Sequence, residues 1–151
     1  NNIMKKIILI FSIATFFSCR NDDTSNHQTE ATMVGKWSLQ KVDVVKSSNG
    51  QTQTTENTDC DKKTIHEFTQ SKNISTFYGI INNVCQLTGE VNSRNYTFDK
   101  TNMKFWYENE QNFPYYITKL NQTELVFEDR TQDIDGDNKT DIIRRYFTKL
   151  P

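Results

Sequence analysis

The sequence is poor in the residues on which most catalytic and polyanion-binding sites depend. It has two histidines in 151 residues, His27 in a polar stretch and His66 on its own, so no Ser/His/Asp arrangement is visible and a histidine-bearing zinc site is poorly supplied. Five glycines form no glycine-rich phosphate loop. Lysine and arginine number 18 against 19 aspartates and glutamates, for a formal net charge of −1, and a chain without cationic surplus has no bulk attraction to a polyanion. Nucleic acid is therefore not expected as a partner, nor an enzyme as the function. From Val34 onward no long segment repeats its apolar residues with a helical period. The apolar run Ile7 to Phe17 is about 11 residues, where a membrane-spanning helix needs roughly 20.

What the N-terminal region does contain is ordered by type. Met4-Lys5-Lys6 precedes the apolar run, and Ser18-Cys19 follows it, which is the plan of a secretory signal. A small residue followed by cysteine at that point resembles the lipobox of bacterial lipoproteins, although Phe16-Phe17 stands where that family prefers leucine or a small residue. The resemblance implies residues 1–18 as signal peptide and Cys19 as a diacylated N-terminus, anchored to a membrane at about 0.8 kcal/mol per buried methylene. Residues 19–32 then form a lipidated, polar tether, since RNDDTSNHQTEAT has too little apolar surface to order itself. Its Asp22-Asp23 pair resembles the acidic signals that send some outer-membrane lipoproteins to the cell surface; any polar tether also contains acids. The expected location is the cell envelope, as an outer-membrane lipoprotein that is periplasm-facing or surface-exposed. Acylation of Cys19 leaves Cys60 and Cys85, which in an oxidising compartment read as a disulfide; closing a loop of about 25 residues stabilises by roughly 3 kcal/mol in the chain-entropy picture.

The body of the chain reads as all-β. Short runs rich in β-branched and aromatic residues, parted by Asn, Gly, Ser and Thr, predict strands at 35–46, 64–70, 74–81, 86–91, 95–99, 103–109, 115–120, 124–130 and 141–150, some of which can merge to leave eight. Every second side chain is apolar in Trp37/Leu39, Tyr96/Phe98, Phe105/Tyr107 and Leu125/Phe127, as expected where one sheet face is buried. The polar insert between Lys46 and Lys63 is expected to be a long loop fixed near its end by Cys60. A small antiparallel sheet protects its edges best by closing, so residues 33–151 are expected to form an up-and-down barrel of about eight strands; strand spacing alone also admits a sandwich.

Met33-Val34-Gly35-Lys36-Trp37-Ser38-Leu39 resembles the G-x-W opening of lipocalins. The chain from 33 to 150 is similar to the lipocalin-like lipoproteins of diderm bacteria, through the lipobox, the tether, Cys60 ahead of Phe68, and the late segments Tyr116 to Leu120 and Thr123 to Phe127. The resemblance implies that Trp37 closes the narrow end of the barrel with a basic residue of the last strand, Arg144 or Arg145, laid across it. It also implies a small apolar or amphipathic ligand at the open end. Phe105, Tyr107, Tyr115 and Tyr116, with Trp106 and Phe113, serve equally as walls of such a site or as filling of a solid barrel.

One motif stands apart. In DIDGDNKTD, Asp133 to Asp141, the side chains of Asp133, Asp135, Asp137 and Asp141 and the carbonyl of Lys139 fall on positions 1, 3, 5, 9 and 7 of an EF-type calcium loop. Gly136 sits at position 4, Asn138 holds the usual glycine position and Arg144 stands where a bidentate glutamate belongs. The pattern instead resembles the calcium-binding β-hairpin loops of integrin-like propellers. A structural calcium ion is expected, the alternative being a solvated hairpin turn. The functional expectation is a lipid-anchored binding protein; its rival is a structural or interaction lipoprotein with a filled barrel that contacts another envelope protein through an exposed apolar patch.

Overall fold

The computed structural model describes residues 32–151. The expected signal peptide, the acylated Cys19 and the tether up to residue 31 lie outside the described residues. Nine strands follow in order: β1 Gly35–Val45, β2 Thr52–Glu56, β3 Ile65–Phe68, β4 Lys72–Ile81, β5 Val84–Asp99, β6 Lys104–Tyr107, β7 Tyr115–Leu120, β8 Glu124–Asp129 and β9 Ile142–Lys149. From β3 to β9 each strand pairs antiparallel with the next, and β1 pairs with both β3 and β9. The result is the closed eight-stranded antiparallel barrel, with β2 as one extra strand.

Two departures from the sequence reading have plain causes. The segments 86–91 and 95–99 merge into the 16-residue β5. The insert expected as a loop holds β2, which pairs with β1 from Lys41↔Glu56 to Val45↔Thr52. All five residues of β2 are exposed, so the strand is held by its backbone ladder and leaves no alternation to read. β1 thus changes partner along one edge, with β3 against Gly35 to Trp37 and β2 against Lys41 to Val45. Between them Asn57 bridges the seam, its amide reaching Gln40 O at 2.9 Å and its Nδ2 reaching Leu39 O at 3.1 Å.

Apolar packing fills one end of the barrel. Trp37 and Phe105 are wholly buried among Met33, Phe68, Tyr96, Ile117, Leu125 and Phe147; an aromatic of this size, at 150–250 Å² and about 25 cal/mol per Å², contributes roughly 4–6 kcal/mol before entropy. The indole N–H of Trp37 donates to Met33 O at 2.8 Å. Over its ring lies Lys149 Nζ, 5.2 Å from the centroid, which also donates to Val34 O at 3.2 Å. This corrects the expectation for Arg144 and Arg145. Lys149 is the residue directly opposite Trp37, whereas Arg144 and Arg145 stand opposite Asp43 and Val42, more than 10 Å up the strand at about 3.3 Å per residue. Gly35, with φ of 142°, makes room for this lysine: a Cβ there would meet Lys149 Cε at 2.6 Å.

At the other end β4 and β5 run on as a two-stranded hairpin, since β3 pairs only with Asn73 to Thr76 and β6 only with Tyr96 to Asp99. Asn82 and Asn83, with φ of 52° and 64°, turn it tightly, as two-residue hairpins require. The Cys60–Cys85 disulfide ties this extension to the segment ahead of β3, and the amide of Tyr78 donates to Thr64 Oγ1 at 3.0 Å. Its outward face exposes Ile80, Leu87 and Val91.

Candidate functional site

Strand alternation places a mixed set of side chains inside the barrel beyond the Trp37 end. Leu39, Phe68, Phe77, Tyr107, Tyr115, Phe127 and Phe147 supply an apolar wall, and His66, Asn73, Ser75, Asn92, Arg94 and Arg145 supply polar groups, around a half-open cavity of about 430 Å³. At roughly 30 Å³ per water, that volume suits a molecule of about a dozen to fifteen non-hydrogen atoms, and it lies in the usual range of ligand sites.

Of the four expected ligand residues, the structure brings Tyr107 and Tyr115 to the cavity wall. Phe105 is placed elsewhere: it is fully buried beneath that wall, stacked on Tyr115 at 4.9 Å and edge-on to Phe127 at 5.1 Å. Tyr116 is one residue out of phase with Tyr115 and faces outward, under the guanidinium of Arg130 at 4.4 Å. The polar wall was not legible, because in Asn73-Ile74-Ser75-Thr76-Phe77 the inward residues are Asn73, Ser75 and Phe77 and the eye-catching Ile74 points out. An inward face carrying Asn and Ser is itself the mark of a site that meets polar atoms or water, since a solid core would reject both.

The electrostatics of this cavity are uneven. Arg94 ion-pairs with Glu110 and lies 3.8 Å over the Tyr107 ring. Tyr107 Oη donates to Asn73 Oδ1 at 3.1 Å, and burial pushes its phenol up to about 12. His66 Nδ1 shares a hydrogen bond with Ser75 Oγ at 2.9 Å; burial, and then the positive charge of Arg145, bring its imidazole down to about 4, so it is neutral at physiological pH. Arg145 has no carboxylate within ion-pairing distance among the described residues. Its Nη1 and Asn73 Nδ2 are the two buried side-chain polar atoms without a hydrogen-bond partner among the described residues. Each such donor costs about 1–3 kcal/mol, and more where it is charged. Arg144, its neighbour, faces outward to the buried Glu128 at 2.7 Å.

The acidic loop lies between β8 and β9 and is closed by the amide of Asp141 donating to Gln132 O at 2.7 Å. Gly136 and Asn138, with φ of 76° and 65°, let the chain coil tightly enough to turn side chains inward. Oxygens of Asp133, Asp135 and Asp141 lie within 4.8 Å of one another, a span that one cation with ligands at 2.3–2.6 Å covers; these three residues can hold a metal ion. Asp137 stands outside the trio, its carboxylate taken by Ser47 Oγ at 2.8 and 2.9 Å and by the amide of Lys139 at 2.9 Å. Asp141 is buried and accepts the amides of Ser47, Ile134 and Asp135 at 2.7, 2.6 and 3.2 Å. Those amides, Ser47 foremost, hold its carboxyl below the ordinary carboxylate range.

No family model matches the chain, and neither a curated protein nor a solved structure is significantly similar to it.

Proposed function

We propose that this protein is a lipid-anchored, lipocalin-like binding protein of the bacterial cell envelope that takes up a small amphipathic ligand in its barrel, without catalysing a reaction. The observation that carries the reading is the cavity of about 430 Å³ bounded by seven apolar or aromatic side chains and a few convergent polar ones, which a barrel built only as a scaffold would fill. The lipocalin likeness is supported by the closed eight-stranded barrel and by a buried tryptophan under a basic side chain at its packed end. Anchoring rests on the signal-like run and Cys19 of the sequence, and the location that goes with this reading is the outer membrane, periplasm-facing or surface-exposed.

Calcium fits the acidic loop better than magnesium does. Its ligands are flexible carboxylates, which suit the larger and less demanding ion, whereas magnesium holds a tight octahedron and keeps its waters. Bound calcium would offset repulsion among Asp133, Asp135 and Asp141 and pin the loop against Ser47 and Ser48, whose hydroxyls already contact Asp137 and Asp135. Its part is structural.

A second reading has its own observation. The exposed Ile80, Leu87 and Val91 on the β4–β5 extension form the kind of apolar strip through which a partner protein of the envelope binds. The two readings separate in one measurement, native mass spectrometry of the chain purified without added ligand. A retained organic mass, with a further mass on Cys19 for acylation, is the expected result. A bare protein that co-purifies with a second polypeptide would replace the binding reading with the interaction one.

A further inference from the structure

We propose that the cavity selects ligands carrying one carboxylate, seated against Arg145 and Asn73, with the apolar body of the ligand along Phe77, Phe127 and Phe147. The inference rests on the binding reading above and adds the chemical class of the ligand.

The cavity wall holds two cations, and they are not alike. Arg94 is already neutralised by Glu110 and covered by Tyr107. Among the described residues Arg145 has no ion-pair partner: Asp129, which the register sets opposite Ile143 two residues away, is occupied by Thr131 and Gln132 at 2.7–3.0 Å. A half-buried guanidinium with one nitrogen fully buried and no counterion is otherwise unfavourable, and the two unsatisfied atoms that belong to cavity-lining residues are of one sign. Arg145 Nη1 and Asn73 Nδ2 are both donors, so the missing group is an acceptor, and the charge beside it makes that acceptor an anion. The two are linked through Tyr107, whose hydroxyl fixes the Asn73 amide through Oδ1 and so leaves Nδ2 turned free, and whose phenol feels the Arg145 charge. One guanidinium fork and one amide donor match the two oxygens of a carboxylate; a phosphate brings a second charge, and the other cation of the wall, Arg94, is already paired with Glu110.

The test uses matched probes on the full chain with Cys19→Ser, which cannot be acylated. Decanoate and 1-decanol share a ten-carbon body and differ in the charge of the head, and each is titrated calorimetrically at pH 7.5. Decanoate is expected to bind roughly ten- to a hundredfold more tightly than decanol, as a hydrogen-bonded charge predicts. Arg145→Gln is expected to erase that preference by bringing decanoate affinity down to that of decanol, and Asn73→Asp to erase it by supplying an internal carboxylate. The same event is visible at His66, whose imidazole pKa, followed by NMR, rises when decanoate binds and stays put with decanol. Equal affinities for the two probes in the unsubstituted barrel would overturn the carboxylate inference and leave the binding reading standing. Binding of neither would overturn both. The comparison of probes needs no substitution at Arg145 or Asn73, so a variant that fails to fold does not compromise it.

Discussion

His66 offers a direct check on the electrical character of the barrel interior. In the folded chain its imidazole is held at about 4 by burial and then by Arg145; its contacts among the described residues are Ser75 and the rings of Phe77 and Phe147, none of them an acid. In the unfolded chain it titrates near 6.5. Between those values the unfolded state binds the extra proton, so folding stability is undiminished above about pH 6.5 and falls as the pH drops toward 4. For a shift from 6.5 to about 4, the loss accumulated between pH 7.5 and pH 5.0 is about 2 kcal/mol. Carboxylates contribute to acid destabilisation as well, so the quantity to measure is a difference. Urea unfolding of the wild type and of His66→Gln at both pH values should show the wild type losing about 2 kcal/mol more, roughly 1 M in midpoint at an ordinary slope. Equal losses would refute the claim that burial and an unpaired cation hold His66 neutral. Because burial is the larger cause, Arg145→Gln should relieve only part of the effect.

Other consequences can be checked alongside. Replacing Cys60 and Cys85 by alanine opens a bridge across a 25-residue separation and should cost about 3 kcal/mol in urea unfolding with little change in slope; a loss below about 1 kcal/mol would mean that the segments around the bridge are already held together in the unfolded chain. Gly35→Ala forces a side chain onto a φ of 142° and against Lys149, and a loss of about 1–3 kcal/mol is expected, accompanied by a change in Trp37 fluorescence; an unchanged spectrum and midpoint would show that the lysine does not need that space. Calcium at about a hundred times its Kd should stabilise the wild type by about 2.7 kcal/mol over chelator and should not stabilise the double variant Asp133→Asn with Asp135→Asn. A wild type indifferent to chelator would leave the loop as a turn held by its own amides.

The strands that form the barrel were legible because one face of each meets a packed interior and the other meets water, and period-two alternation records that difference. β2 was missed for the converse reason: Thr52 to Glu56 is exposed on both faces, and its one signal was the turn pair Asn49-Gly50, with Gly50 at a φ of 70°. The wall of the candidate site was half legible. Tyr107 and Tyr115 could be named from the aromatic clusters, but Asn73 and Ser75 could not, since an inward polar residue and an outward one look identical until the neighbours are known. Adjacent arginines showed that one must point each way; that Arg145 is the inward one, and that Lys149 is the partner of Trp37, depends on cross-strand register, which is a property of pairs of strands. In the acidic loop the grouping of Asp133, Asp135 and Asp141 was legible, because spacing and left-handed residues are local; that Asp137 turns to Ser47 was not, because Ser47 comes from a distant part of the chain.

The register shifts carry a consequence for how such a barrel can change over time. Between Leu39 and Lys41 on β1, and between Ile117 and Lys119 on β7, the partner strand advances by a single residue, so Gln40 and Thr118 are each set aside from the ladder and the next side chain resumes the facing that an unbroken strand would have given it. Loss of either residue would leave Leu39 and Val42, or Ile117 and Leu120, still turned toward the interior. Length in these two strands is thus partly uncoupled from facing. A related chain shorter by one residue here could keep the same interior, and a comparison between such chains should place its gap inside the strand and not only in the turns.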